Sequence, residues 1–169
     1  MKIRAAVVNN VLEDYKIEEV ELESPRVNEV LVRIVASGIC HSDEAFRLGH
    51  ASFVFPAIFG HEGAGIVEEV GSGVTSVKPG DHVVISYAYC GECPCCRIGK
   101  TSSCDNWPAM NFGRRMDGTA VAFDEEGKPL STILGQSSFG EKTVVDEKSV
   151  TKIDQDFDLR LAGDRKSVV

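Results

Sequence analysis

Four cysteines in the middle of the chain are spaced as ligands of one metal ion. They are Cys90, Cys93, Cys96 and Cys104, separated by two, two and seven residues. The run reads Cys90-Gly-Glu-Cys-Pro-Cys-Cys-Arg-Ile-Gly-Lys-Thr-Ser-Ser-Cys104. Four thiolates at these intervals surround one Zn²⁺ tetrahedrally. Because a closed shell of four sulfurs leaves no position for a substrate, the spacing predicts a structural zinc site.

A pair of disulfides is the alternative for the same cysteines. The chain starts Met-Lys-Ile-Arg-Ala-Ala-Val-Val, and the polar residues that follow come too early for the apolar core of a signal peptide. No apolar run has the length that crosses a membrane. We therefore expect a cytoplasmic protein, in which reducing conditions favour metal-bound thiolates over disulfides. Cys95 interrupts the regular spacing and is interpreted as a free thiol.

Length, composition and charge restrict the class of protein. A chain of 169 residues with 43% hydrophobic and 26% charged residues has the composition of one ordinary globular core. Its net charge of −8 argues against nucleic acid as a partner.

Short β-rich segments dominate the sequence pattern. They lie at Ile3–Val8, Tyr15–Leu22, Val30–Val35, Gly65–Val70, His82–Ser86, Thr143–Val145 and Val150–Ile153. One early helix is expected over Ser42–Leu48, with Ser42 as a candidate N-cap and Gly49 at its end. Many short strands with glycine turns predict a mainly β barrel or sandwich, without the strand–helix alternation of a doubly wound sheet.

A dinucleotide-binding fingerprint is missing from the sequence. Two glycine pairs come near it, Gly63-Ala-Gly65 and Gly71-Ser-Gly73, but Glu68 and Ser76 stand where the third glycine is required. We therefore expect that this chain contains no Rossmann domain of its own.

Cys40 and His61 are candidate ligands for a second metal ion. A catalytic zinc needs three protein ligands and one open position, and a thiolate and an imidazole suit it. The residues alone leave other interpretations open, since an isolated cysteine is often part of a core and an isolated histidine is often only hydrogen-bonded.

Three motifs resemble one family in the same order along the chain. The run Gly60-His-Glu-Gly-Ala-Gly-Ile-Val-Glu-Glu-Val-Gly-Ser-Gly-Val74 is similar to the signature of zinc-containing alcohol dehydrogenases, and Cys40-His-Ser-Asp43 resembles the segment with their first catalytic ligand. The four-cysteine segment resembles their structural zinc lobe. Gly135-Gln-Ser-Ser-Phe139 is most similar to the benzyl- or aryl-alcohol branch.

The resemblance covers roughly residues 1–163 and implies a fold. It implies the N-terminal catalytic domain of a medium-chain dehydrogenase/reductase, a GroES-like, partly open β-barrel with short helices and a zinc lobe at 90–104. The final six residues, 164–169, do not resemble the family. Their codons can be written as a common sequencing-adapter oligonucleotide, so we expect a non-native tail there.

The resemblance also implies roles for individual residues. Cys40 and His61 would bind the catalytic zinc, Asp43 would orient His61, and Ser42 would relay the proton of the alcohol. Glu62 would lie behind the metal and exchange with one of its ligands, and His41 would contact the cofactor pyrophosphate. Ser42 as a helix cap and Glu62 as a surface acid are the alternatives. Many relatives have a histidine three residues after the hydroxyl, where this chain has Ala45.

The function implied is that of a zinc-dependent, NAD- or NADP-linked alcohol dehydrogenase, which oxidises a primary or aryl alcohol to an aldehyde. The family's third zinc ligand and its nucleotide-binding domain would follow beyond this chain, so we expect the chain by itself to be inactive and the longer protein to be a homo-oligomer. The alternative is a non-enzymatic, zinc-binding GroES-like module. Zinc-free quinone reductases of the same superfamily are disfavoured because both zinc motifs are present.

Overall fold

The computed structural model describes residues 1–163, so the expected non-native tail at 164–169 lies outside the described residues. The strands are β1 (Lys2–Val8), β2 (Lys16–Leu22), β3 (Glu29–Ser37), β4 (Ala57–Ile58), β5 (Gly63–Val70), β6 (His82–Ile85), β7 (Phe112–Gly113), β8 (Ala122–Phe123), β9 (Pro129–Ile133), β10 (Lys142–Asp146) and β11 (Val150–Lys152). The helices are α1 (His41–Arg47), α2 (Pro94–Arg97), α3 (Trp107–Asn111) and α4 (Leu159–Ala162), with 3₁₀ turns at Thr101–Ser103 and Glu147–Ser149.

Two sheets make up the domain. One has the order β4-β1-β2-β8-β9-β7, and β4 also pairs with β9, so that five of its strands form a closed ring. The other has the order β10-β3-β5-β6-β11. Every pairing is antiparallel except β4 with β9. The mainly β, barrel-like fold expected from the sequence is confirmed, and no helix within residues 1–163 is long and apolar enough to cross a membrane.

Strand β3 supplies residues to two separate hydrophobic cores. Leu31 packs in one core with Ile3 and Val7, whereas its neighbours Val30 and Val32 pack in the other. Side chains of a strand point alternately to opposite faces, so one strand between two layers serves both. Strand β3 runs directly into the segment that carries Cys40, which connects the candidate site to both hydrophobic cores.

The glycines of the two incomplete dinucleotide motifs allow close packing of the backbone. A Cβ on Gly63 would lie 2.8 Å from the Cβ of Ser138, and one on Gly65 would lie 2.8 Å from Val32 Cγ1. A Cβ on Gly71 would lie 2.5 Å from the carbonyl oxygen of Val27. These distances are shorter than real Cβ contacts, so the glycines are required by strand packing. No doubly wound sheet is present in residues 1–163.

The observed elements differ from the sequence-based ones in two respects. Each of the seven expected strands overlaps an observed strand, but four strands were missed. Strands β4, β7 and β8 have two residues each, and β9 begins with a proline and has no distinct period. The N-cap of α1 is Cys40, without a side-chain hydrogen bond, and Ser42 lies inside the first turn. The prediction that Ser42 caps the helix was therefore wrong. Gly49 follows the helix with φ of +74°, as expected for its end.

We predict that Gly65→Ala destabilises the domain. The added methyl group would contact Val32 and the carbonyl of Arg33 across the β3–β5 pair, and overpacking of this kind typically costs about 1–3 kcal/mol. Equilibrium unfolding in urea measures the loss. The control is Glu69→Ala on the same strand, an exposed position expected to change the free energy of unfolding little. Equal stabilities of the two variants would contradict the packing argument.

Candidate functional site

The four-cysteine lobe is shaped by backbone N–H groups that point at sulfur. The N–H groups of Glu92 and Cys93 donate to Cys90 Sγ at 3.5 and 3.4 Å, and Cys93 Sγ accepts the N–H of Cys96 at 3.4 Å, which caps α2. Cys90 N–H donates to Cys104 Sγ at 3.4 Å. Hydrogen bonds to the charged form favour thiolates over thiols, so the local fold prepares these sulfurs to bind a cation.

The distances between the sulfur atoms fit a metal site and not disulfides. Cys90 Sγ lies 3.9 Å from Cys96 Sγ and 3.5 Å from Cys104 Sγ, and all four sulfurs lie within 4.8 Å of one another. A disulfide bond is about 2.05 Å long, whereas a ZnS₄ tetrahedron with bonds of about 2.3 Å has edges of about 3.8 Å. The six cysteines are free thiols, including Cys95, which is outside this cluster.

The negative charge of the four thiolates in the lobe requires a compensating cation. The backbone N–H groups of Glu92 and Cys93 lower the pKa of Cys90 to about 6. Burial raises the pKa of Cys96 to about 12, and hydrogen bonds with the other three sulfurs act in the same direction. Four thiolates at this spacing are therefore stable together only around a positive ion, and the donor set fits Zn²⁺.

A second cluster brings together Cys40, His61 and Glu62. One ligand atom from each lies within 4.8 Å of the other two. His61 and Glu62 are both buried, which excludes the interpretation of Glu62 as a surface acid. The sequence implied two zinc ligands from this chain, and the structure adds the Glu62 carboxylate at ligand distance. A thiolate, an imidazole and a carboxylate are a donor set that suits an open zinc site.

The turn before β5 fixes the position of His61. Gly60 adopts φ of +89°, and a Cβ there would lie 2.7 Å from the backbone nitrogen of Phe139. The N–H groups of Ser138 and Phe139 donate to the carbonyl oxygens of Gly60 and Phe59 at 2.8 and 3.0 Å. The segment before β10 thus holds the turn in place, and the turn aims His61 toward Cys40.

Asp43 is the buried carboxylate behind His61. It is 1% exposed, and its Oδ1 accepts the N–H of Gly60 at 3.0 Å and lies 3.0 Å from His61 Nδ1. An imidazole that donates from Nδ1 keeps a lone pair on Nε2 for a metal. Burial opposes protonation of His61, but the Asp43 carboxylate outweighs it and raises the pKa of the imidazole.

Ser42 and His41 occupy different positions relative to the cluster. Cys40 Sγ lies 3.4 Å from Ser42 Oγ. Burial opposes ionisation of the Cys40 thiol, but hydrogen bonds from Ser42 and the neighbouring His61 outweigh it and lower the thiol pKa. His41 is exposed at the first residue of α1, outside the ligand cluster.

Sequence reasoning missed the cavity beside the cluster. It has a volume of about 340 Å³, and its lining includes Tyr15, Ile39, Asp43 and Phe139. Burial raises the pKa of Tyr15 to about 12, with a contribution from the Asp43 carboxylate. The rings of Tyr15 and Phe139 meet edge to face at 5.9 Å. Nothing in the sequence near Tyr15 indicated this position, because the contact depends on tertiary structure.

The fold and the two cysteine-containing clusters define a class of protein. Residues 26–155 match the family described as the alcohol dehydrogenase GroES-like domain. The chain belongs to this family. The resemblance stated from the motifs is therefore confirmed at the level of the family.

The curated relatives of this chain are also dehydrogenases. S-(hydroxymethyl)glutathione dehydrogenase of Escherichia coli O1:K1 / APEC is 47% identical over 157 residues, which are 90% of this chain and 42% of the relative. The same enzyme of Shigella sonnei matches equally. The chain thus spans less than half the length of these curated relatives.

Solved structures superpose closely on the domain. An alcohol dehydrogenase zinc-binding domain protein from Burkholderia ambifaria has a TM-score of 0.94 at 38% identity, over 97% of this chain and 45% of that one. Benzyl alcohol dehydrogenase from Acinetobacter calcoaceticus has a TM-score of 0.91 at 34% identity, over 97% of this chain and 44% of that one. The chain is therefore similar to the first part of these longer dehydrogenases.

We predict that the lobe retains one zinc ion per chain after dialysis. Cys104→Ser should loosen that zinc and lower the unfolding temperature, because binding of a structural metal contributes folding free energy. Elemental analysis and thermal unfolding measure both effects. The matched control is Cys95→Ser, which removes a thiol from outside the cluster and should retain the metal. An equal zinc loss in both variants would refute the assignment of the four ligands.

We also predict that Asp43→Ala weakens metal binding at the second cluster by about 10–100-fold, because partners that orient a metal ligand contribute on this scale. Asp43→Asn keeps a hydrogen-bond acceptor without the charge and should weaken metal binding less than Asp43→Ala does. Competition with a chromophoric chelator measures the affinity, and zinc retained by the lobe serves as the internal control. An unchanged affinity in Asp43→Ala would show that His61 is oriented by other contacts.

Proposed function

We propose that this chain is the N-terminal catalytic part of a zinc-dependent, NAD(P)-linked alcohol dehydrogenase. The observation that carries the proposal is the cluster of Cys40, His61 and Glu62, with the buried Asp43 behind it. A structural site has no need of an exposed hydroxyl beside its ligands, whereas Ser42 Oγ stands 3.4 Å from Cys40 Sγ. The cluster is thus equipped for proton transfer as well as for metal binding.

The roles of the residues follow from their contacts. Zinc bound by Cys40 and His61, with the Glu62 carboxylate at ligand distance, would supply the Lewis acidity that makes an alcohol easier to deprotonate. Asp43 holds the His61 ring in one orientation through Nδ1. Ser42 takes the proton of the substrate hydroxyl at its Oγ. Because Ala45 has no titratable group, the proton leaves Ser42 through the cofactor ribose, water or another group.

The four-cysteine lobe has the separate role of a structural zinc site. Cys90, Cys93, Cys96 and Cys104 offer a closed set of sulfurs with no position for a substrate. Its zinc would hold together a segment that has only short helical turns of its own, α2 and the 3₁₀ turn at Thr101–Ser103. The lobe therefore contributes to stability and not to proton or hydride transfer.

We infer that the substrate is a primary alcohol with an aryl group. The cavity beside the metal cluster is lined by the aromatic rings of Tyr15 and Phe139. Aromatic walls next to the candidate proton acceptor suit a flat apolar substrate. The similarity to a benzyl alcohol dehydrogenase supports the same class. The 47% identical relatives favour S-(hydroxymethyl)glutathione as the competing substrate.

The nicotinamide cofactor would be bound mainly by the part of the protein that this chain lacks. His41, exposed at the start of α1, is the residue of this chain proposed to contact the cofactor pyrophosphate. The CAD of Helicobacter pylori, 26% identical to this chain, was solved in complex with NADP(H). NAD and NADP are alternative cofactors. We propose that the longer protein is a cytoplasmic homo-oligomer that uses no nucleic acid or membrane partner.

A non-enzymatic zinc-binding module is the second candidate. It is favoured by one observation, namely that the four-cysteine lobe has all four of its ligands within the chain and shares none with the second cluster. A module of this kind would bind zinc at the lobe and have no use for the buried Asp43–His61 pair. Activity of the longer protein separates the two candidates.

We predict that the chain of 169 residues alone does not oxidise benzyl alcohol with NAD or NADP, and that the longer protein obtained by extending the reading frame does. In that protein Cys40→Ser or His61→Ala should remove nearly all turnover. Ser42→Ala should leave a residual rate, because general acid–base assistance is typically worth about 10²–10⁴-fold. Reduction of the nicotinamide, followed by absorbance, measures each rate.

The competing substrate is tested in the same assay. The ratio of kcat/KM for benzyl alcohol to that for S-(hydroxymethyl)glutathione decides between an aryl alcohol and the glutathione adduct. NAD(P)-linked turnover by the isolated chain would contradict the prediction that a separate nucleotide-binding domain is needed for activity. Full activity of His61→Ala would overturn the metal assignment.

A further inference from the structure

A run of aromatic rings connects the four-cysteine lobe with helix α1. From the lobe it passes through Tyr87, Trp107, Phe112 and Phe46, with ring centroids 6.4, 5.4 and 5.7 Å apart in that order. The planes of neighbouring rings are inclined by 55°, 74° and 53°. Inclined rings at these distances attract each other through their quadrupoles. The lobe and the helix that follows Cys40 are therefore in contact through these side chains.

Helix α1 requires such support, because it is too short to be stable by itself. It has seven residues, its N-cap Cys40 forms no side-chain capping bond, and Asp43 is its one fully buried residue. Asp43 anchors the start of the helix, and Arg47 anchors its end by donating to the carbonyl oxygen of Glu13 at 2.9 Å. The ring of Phe46 is the anchor between them, through Phe53, Phe59 and Phe112.

Phe112 is held rigidly on the lobe side. Its neighbour Asn111 is buried, accepts the N–H of Ala88 at 2.9 Å, and donates to the carbonyl oxygens of Ala88 and Trp107 at 2.8 and 2.7 Å. The N–H of Trp107 donates to the carbonyl oxygen of Cys104 at 2.9 Å. The segment from Cys104 to Phe112 is thus fastened at both ends, and a ring at its end keeps a defined position.

We propose that Phe112 is a positioning residue that couples the four-cysteine lobe to the second metal cluster. By supporting Phe46 it holds α1 so that Cys40 Sγ stays within ligand distance of His61 and Glu62. The inference rests on the proposed function, because it takes this cluster as the catalytic metal site. In this proposal the lobe not only stabilises its own segment but also keeps Cys40, a ligand of the second cluster, in place.

The test measures Co²⁺ binding to the second cluster while the lobe holds zinc. The chain of 169 residues is compared with Phe112→Ala and with Phe157→Ala, a matched control. Both rings are partly exposed, 37% for Phe112 and 50% for Phe157, and within residues 1–163 Phe157 makes no aromatic ring contact. Elemental analysis reports the lobe zinc, and thiolate-to-cobalt absorption reports the second cluster.

We expect Phe112→Ala to keep one lobe zinc and to bind Co²⁺ about tenfold more weakly, the order of effect for the loss of its ring contact with Phe46. Phe157→Ala should bind as the unchanged chain does, and Phe112→Tyr, which keeps the ring, should restore the affinity. A purely structural role would lower the unfolding temperature and leave the Co²⁺ affinity and spectrum unchanged.

Three outcomes would overturn the inference. Equal Co²⁺ affinity in Phe112→Ala and the unchanged chain would show that α1 needs no support from the lobe. An equal loss in Phe157→Ala would show that the effect is not specific to the aromatic run. If the unchanged chain shows no thiolate-to-cobalt absorption, the metal assignment of the cluster itself is wrong. Should Phe112→Ala fail to fold, Phe112→Leu replaces it in the same comparison.

Discussion

The candidate site depends on one buried carboxylate. Asp43 Oδ1 is shared by the N–H of Gly60 and by His61 Nδ1, each at 3.0 Å, and so joins helix α1 to the turn before β5. A buried charge is costly unless it is paired and hydrogen-bonded, so this contact is well defined wherever the domain is folded. Cys40 precedes Asp43 by three residues, and His61 follows Gly60 directly. This contact therefore joins the segment that carries Cys40 to the turn that carries His61.

The rest of the domain keeps the two partners of that contact in register. The central strand β3 packs into both hydrophobic cores and leads into α1, and the segment that ends at Phe139 hydrogen-bonds to the turn that holds His61. The aromatic run from the lobe adds a third support through Phe46. A short helix without a side-chain cap is thus fixed from three directions, which is the precision that a metal site requires.

The two candidate metal sites differ in the way that the chain brings their ligands together. The lobe brings its four sulfurs from a stretch of fifteen residues, Cys90 to Cys104, and local backbone N–H groups stabilise the thiolates. The second cluster joins Cys40 to a pair twenty-one residues later, and it depends on the barrel to bring them together. This difference explains why the spacing alone indicated one site and left the other open until the family resemblance was considered.

The sequence by itself determined the mainly β class, seven of the strands and the four sulfurs of the lobe, because alternation and ligand spacing are local properties. The resemblance of its motifs added the family and the pairing of Asp43 with His61. Only the tertiary structure decided that Glu62 is buried at ligand distance, that Ser42 lies inside α1, and that the glycines near Gly65 serve strand packing. The aromatic run through Phe112 also belongs to this second group. These features arise from contacts between residues far apart in the chain, which depend on how the strands pack and are not encoded in any single segment.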